Sequence, residues 1–145
     1  MAFQNPAPGE IKALLQRVKT VAVVGLSTDP DRPSYSVSSY LQGNGYRIVP
    51  ERPGGGEILG EKVYGRLSEI PFAVDIVDHF RKSSEVGAHI DEAIRLRVPA
   101  IWLQEGVVDE AAAQRARDAG LTVVMDRCML KEHRKAGLSS KPPPL

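Results

Sequence analysis

Val21-Ala22-Val23-Val24-Gly25-Leu26-Ser27-Thr28-Asp29-Pro30-Asp31-Arg32-Pro33-Ser34 decides the fold. Four apolar, mostly β-branched residues run without a polar break, as in a strand buried on both faces. The run ends on Gly25, where the backbone must turn sharply, and a polar loop follows. Ser34 stands at the start of a helical pattern in which Val37, Tyr40 and Leu41 share a face and Gly43-Asn44-Gly45 brings the stop. A buried strand, a glycine turn and a helix make the first half of a βαβ unit.

Four more short apolar runs follow: Tyr46-Arg47-Ile48-Val49, Val74-Asp75-Ile76-Val77, Ala100-Ile101-Trp102-Leu103 and Thr122-Val123-Val124-Met125. Four of the five in all are near-continuous and β-branched. Helical patterns separate most of them. Ile11, Leu14, Leu15 and Val18 form one apolar face, and Val86, Ile90, Ala93 and Ile94 another, with Ser83 or Ser84 as its cap. Asp109 to Ala119 is alanine-rich, with Asp109 as N-cap and Gly120 as stop, and a last short helix follows Met129. Ile58-Leu59 and Val63-Tyr64 flank Gly60 and allow a small hairpin. The expectation is an α/β, Rossmann-like three-layer fold. Its five-stranded parallel sheet takes the order 3-2-1-4-5, with helices on both faces.

Bulk properties narrow the setting. A chain of 145 residues fits one domain. We expect it over 9–137, between a flexible N-terminus (1–8) and a flexible Pro-rich tail (138–145). A net charge of +1 gives no electrostatic case for nucleic acid or a membrane surface. The one cysteine, Cys128, excludes an internal disulfide and a multi-cysteine metal site. No apolar run approaches the ~20 residues that span a bilayer, and the first residues lack the features of a secretion signal. A cytoplasmic location follows by elimination.

In open α/β sheets ligands bind beyond the carboxyl ends of the strands, where the strand order reverses. The loops expected there begin at Gly25, Pro50, Asp78, Gln104 and Asp126. In the first, Ser27 and Thr28 offer hydroxyls, Arg32 a fixed charge, and the helix from Ser34 its free N–H groups, as a diphosphate requires. An ordinary capped loop with a surface arginine has equal weight. The G-x-G-x-x-G spacing of dinucleotide sites is absent, only Gly25 being in place, which disfavours NAD in its usual pose. In the second loop Glu51 sits where such sites carry a ribose-binding acid, and Arg52 suits a ribose phosphate. The alternative is a flexible glycine turn with solvated charges. In the third, Phe80 suits an adenine and Arg81 or Lys82 a phosphate, while a lone His79 is more often structural. In the fourth, the polar pair Gln104-Glu105 before Gly106 ends an apolar strand. Cys128 and His133 stand five residues apart, but without an orienting group they make a weak case for a nucleophile.

Five segments in register carry a resemblance: Val21-Ala22-Val23-Val24-Gly25-Leu26-Ser27, Gly45-Tyr46-Arg47-Ile48-Val49-Pro50, Val74-Asp75-Ile76-Val77-Asp78-His79-Phe80-Arg81, Ile101-Trp102-Leu103-Gln104-Glu105-Gly106-Val107 and Val124-Met125-Asp126-Arg127-Cys128. The chain resembles the stand-alone CoA-binding domain proteins, the YccU-like family. These are similar to the N-terminal CoA-binding domain of the succinyl-CoA synthetase alpha subunit. The resemblance implies coenzyme A or an acyl-CoA held across the strand ends. It puts Gly25, Leu26 and Ser27 in the turn beneath the cofactor, and Arg32 and Ser34 near the diphosphate. Pro50 and the residues after it border the adenosine. Val77 and Phe80 line the apolar part, and Gln104, Glu105 and Gly106 approach the pantetheine. The chain departs from the family's Pro-Val-Asn-Pro with Pro50-Glu51-Arg52-Pro53, so Arg52 replaces a neutral amide and Glu51 adds a charge. It has no counterpart of the synthetase's phosphorylated-histidine domain, so His133 takes no such role.

Three functions stand at this point. The first is a non-catalytic module that binds coenzyme A or an acyl-CoA, with a protein partner still unidentified. The second is an enzyme using NAD(P) or handling acyl-CoA. The third is a partner-docking domain whose ancestral site is empty.

Overall fold

The computed structural model describes residues 3–139. The sheet is formed by β1 (Thr20–Val24), β2 (Arg47–Glu51), β5 (Ile76–His79), β6 (Ala100–Leu103) and β7 (Thr122–Val124), and every pairing is parallel. The expected hairpin is present as the antiparallel pair β3 (Glu57–Ile58) and β4 (Glu61–Lys62). The helices are α1 (Pro8–Arg17), α2 (Pro33–Gly43), α3 (Ser83–Arg95), α4 (Glu110–Asp118) and α5 (Met129–Lys135).

Side chains alternate across the sheet and divide the core in two. Val21, Val23, Ile48, Ile76, Trp102 and Val124 pack on α1, α2 and α5. Ala22, Val24, Val49, Val77, Ile101, Leu103 and Val123 pack on α3 and α4. The alanines of α4 are the means of close approach: Ala112, Ala113 and Ala116 are all fully buried. The expected α/β class and parallel five-stranded sheet are therefore present.

The strand order is not the expected 3-2-1-4-5. The sheet runs β2-β1-β5-β6-β7, which is 2-1-3-4-5 in terms of the five runs. Both orders satisfy right-handed crossovers, so alternation alone does not separate them. Two local features do. Pro50 lies within β2, and a strand containing proline belongs at an edge because it lacks a ladder donor. The Asp75 carboxylate accepts from the backbone N–H groups of Lys19 and Thr20, both at 2.9 Å, and so seats the start of β5 against β1. All four residues of β5 are buried, as a central strand requires. The order reverses between β1 and β5, not between the first and fourth runs.

Several boundaries shift as well. Pro50 and Glu51 extend β2, and Asp78 and His79 extend β5, so these four residues are strand and not loop. Helix α2 starts at Pro33, with proline in the first turn where its missing N–H costs nothing. Neither Ser83 nor Ser84 caps α3. The preceding residue is Lys82, and the Ser83 hydroxyl instead donates to the Gly106 carbonyl and accepts from Val108 N–H. Asp109 does cap α4, accepting from Ala112 N–H at 3.0 Å.

Residues before α1 lie along the β7 edge. The Asn5 side-chain amide donates to the Met125 carbonyl at 2.8 Å and accepts from Met125 N–H at 2.7 Å. Arg117 donates to the Gln4 carbonyl and stacks over the Phe3 ring. From residue 140 on, the Pro-rich tail expected over 138–145 falls outside the described residues. Among the described residues no helix is long and apolar enough to cross a membrane.

Candidate functional site

A cavity of about 490 Å³ opens at the carboxyl ends of β1, β5 and β6, on the side of the sheet covered by α2 and α5. This is the size of a small-molecule site, and it lies at the reversal of strand order. Its wall draws on four strand-end loops. Gly25 and Ser27 follow β1, Phe80 follows β5, Gln104, Glu105 and Val107 follow β6, and Cys128 follows β7. The first turn of α2 completes it with Arg32, Pro33, Ser34 and Val37.

The first loop is internally braced. Gly25 has φ +84°, a conformation that strains any residue with a Cβ. Its N–H donates to the Glu51 carbonyl at 2.9 Å, continuing the ladder one step past β1. Ser27 N–H donates to the Ser34 hydroxyl at 2.9 Å, and the Ser27 hydroxyl accepts from Asp29 N–H at 3.0 Å. The loop is thus folded onto the N-terminus of α2, whose dipole favours an anion. Arg32 precedes that helix, is exposed, and lends the cavity its fixed positive charge.

The floor holds a polar element beneath the β6 loop. Gln104 is buried and donates from its side-chain amide to both carboxylate oxygens of Asp78, at 2.8 and 2.9 Å. Burial pushes the Asp78 carboxyl up to about 7, with the hydrogen bonds from Gln104 and the His79 backbone opposing it. His79 is fully buried, its Nδ1 paired with the Trp102 carbonyl at 3.2 Å, and desolvation takes it down to about 4. Burial thus favours the neutral imidazole, whose Nε2 is buried without a hydrogen-bond partner. Glu105 stands at the rim, exposed and paired with Lys131 at 2.9 Å.

Of the residues expected at the site, Gly25, Ser27, Arg32, Ser34, Phe80, Gln104 and Glu105 are brought together around this cavity. The others fall elsewhere. Leu26 is fully buried in the core on the α1, α2 and α5 side. Thr28 is exposed and outside the wall. Val77 packs in the α3 and α4 layer, because strand parity turns it away from the face that Ile76 shares. Pro50 and Glu51 are buried within β2. Arg52 is half-buried and donates from Nη1 to the Leu26 carbonyl at 3.3 Å, tying the second loop to the first. Arg81 lies over the open face of Gly25, where a Cβ would meet its Cδ and Nε at 3.4 Å. Gly106 is exposed, and its N–H donates to the Asp126 carboxylate at 2.8 Å.

Pro33, Val37, Val107 and Cys128 line the cavity and were not among the expected site residues. Val37 was visible as one position beyond the first turn from Ser34. The placement of Cys128 depends on how β7 feeds α5, which no local pattern specifies. His133 does not line the cavity with Cys128. Its Nδ1 meets the Tyr40 hydroxyl at 2.8 Å, and its ring packs edge-on to Tyr40 and Tyr46.

Comparison with known proteins adds to this geometry. The model of the family described as "CoA binding domain" matches residues 19–134. The uncharacterized protein YneT of Bacillus subtilis is 44% identical over 131 residues, covering 90% of this chain and 97% of that protein. Among solved structures, Prb, the PH1109 protein redesigned for binding, superposes with a TM-score of 0.91 at 32% identity, covering 98% of this chain and 99% of that one. The cell-free ID.343 protein from Thermus thermophilus gives a TM-score of 0.86 at 37% identity, covering 90% and 99%.

Proposed function

The chain belongs to the CoA-binding domain family, and from that premise we propose that it binds coenzyme A or an acyl-CoA as a non-catalytic, regulatory or carrier module. The observation that carries this reading is the cavity at the strand reversal, walled by Gly25, Ser27, Arg32 and Ser34 on one side and by Phe80, Gln104 and Cys128 on the other. The first group has the chemistry of a diphosphate seat: a glycine turn, a helix N-terminus and an arginine. The second suits a mostly apolar pantetheine arm with an amide to match its own. Arg52, held beside the first loop through Leu26, is the candidate partner of the ribose phosphate.

A binding role fits the titratable groups better than catalysis. Those that line the cavity are Arg32, Glu105 and Cys128, and Glu105 is already paired with Lys131. His133, the histidine nearest to Cys128 in sequence, is engaged by Tyr40.

Thermal stability measured with coenzyme A, acetyl-CoA, NAD, NADP and ATP tests the reading. A ligand specific to the folded state, at a hundred times its Kd, adds about 2.7 kcal/mol, which is several degrees for a domain of this size. A shift with the CoA compounds alone is expected. No shift with them, or a larger one with NADP, overturns it.

A further inference from the structure

A second cluster of functional groups lies away from the cavity wall. Glu51 at the end of β2, and His89 and Glu92 on α3, each present one ligand atom, and all three atoms lie within 4.8 Å of one another. His89 and Glu92 are i and i+3 on one helix, so they share a face. Glu51 comes from the sheet beneath them, and its side chain is only 3% exposed, against 28% for His89.

Glu51 is the unusual member. A buried carboxylate ordinarily has hydrogen-bond donors or a close cation. Among the described residues none donates a hydrogen bond to its carboxylate, and its one ion-pair contact is His89 Nδ1 at 3.7 Å, beyond hydrogen-bond length. Arg81 is within electrostatic reach but makes no ion pair with it, and the Arg81 Nε is itself buried without a partner. Burial first, and then the charge of Glu92, push the Glu51 carboxyl up to about 7, with Arg81 drawing it partway back and Glu69 adding to the rise. Around His89, Arg81 is the larger electrostatic neighbour, and Glu92 and Glu85 act against it. The three groups therefore face one another with a buried carboxylate that no side chain of the described residues hydrogen-bonds.

We propose that Glu51, His89 and Glu92 form a site for one first-row divalent cation of the zinc class, with Glu51 as the buried anchor. One imidazole and two carboxylates are a borderline donor set suited to such an ion, with water completing the shell. Ligand atoms around a tetrahedral zinc stand about 3.3–3.6 Å apart. His89 and Glu92, both partly exposed, are the side chains that would turn inward from the 4.8 Å span to hold the ion.

The test uses the full chain, freed of metal by a chelator and studied without any CoA compound. Titration calorimetry with Zn2+ and the visible spectrum with Co2+ give stoichiometry and ligand type. One equivalent per chain is expected, with nitrogen–oxygen ligation and no thiolate-to-cobalt charge-transfer band. His89→Gln and Glu92→Gln each weaken binding at least tenfold, while melting in the presence of chelator is unchanged. Glu51→Gln has the same effect on binding and is the variant most at risk of misfolding, so the helix pair decides the matter. The proposal is overturned if wild type binds no better than His89→Gln. It is equally overturned if the cobalt spectrum shows a thiolate band that disappears in Cys128→Ser.

Discussion

The Gln104 side-chain amide spans both oxygens of the Asp78 carboxylate, which is fully buried under the cavity floor. Gln104 thus reaches the cavity in an orientation set from below, and Asp78 acts on the site only through it.

That pairing sets a pH dependence. In the folded chain burial raises the Asp78 carboxyl from 3.8 to about 7. The group then favours the folded state at low pH and loses that contribution as pH rises from the unfolded value through the folded one. Asp78→Asn imitates the neutral form. Its stability relative to wild type should increase by about 1–3 kcal/mol between about pH 5 and pH 8. Urea denaturation of both proteins at each pH checks this. His79 contributes in the opposite sense, since its lowered value costs stability as pH falls from 6.5 through about 4. The paired comparison cancels that term. An unchanged difference across the range would show that Asp78 is ionised in the fold.

Arg32 and Arg52 are separable by mutation. Arg32 is exposed at the cavity wall, whereas Arg52 also holds the Leu26 carbonyl. Arg32→Ala should weaken a CoA ligand by about 1–3 kcal/mol and leave the unliganded melting temperature unchanged. Arg52→Ala should lower both. Calorimetry and melting of the two variants make the distinction, and a loss of affinity in neither removes both from the site.

Gly25→Ala imposes a Cβ on a φ of +84°, with the Arg81 side chain at van der Waals distance. The strain should cost about 1–3 kcal/mol of stability, with a loss of ligand affinity if relief of the strain moves the loop that lines the cavity. Denaturant titration gives the first quantity and calorimetry the second.

Tyr40→Phe leaves the His133 Nδ1, in a ring only 2% exposed, without its hydroxyl partner. A loss of about 1–3 kcal/mol in folding stability is expected, with CoA affinity retained. Loss of affinity alone would instead tie His133 to the site.

The class of fold was legible because five buried runs alternate with amphipathic or alanine-rich segments, and Asp109 and Gly120 mark helix ends by their own chemistry. The order of strands depends on which side of β1 the third run enters. The deciding signals, Pro50 within a strand and Asp75 reaching Lys19 and Thr20, are weak locally and become decisive only across the sheet. At the site, Gly25, Ser27 and Arg32 could be read because a strand, a turn and a helix start lie together in the chain. Val77 was misplaced by one step of strand parity, which reverses the face on which a residue lies. Val107 and Cys128 lie in the two loops expected at that end of the sheet, but which of their residues face the cavity is set by tertiary packing.

The clasp of Asn5 on Met125 has a consequence for solubility. A side-chain amide that both donates to and accepts from one backbone residue occupies the groups a neighbouring chain would use to extend the sheet. At the opposite border, Pro50 offers no N–H to such a strand, and Tyr64 already takes the Pro50 carbonyl. Each border of the sheet thus carries a short local device, at Met125 just past β7 and at Pro50 in β2, that limits pairing with another chain. Removing the residues before α1 should therefore increase self-association through the β7 edge, read by light scattering, with the fold itself intact.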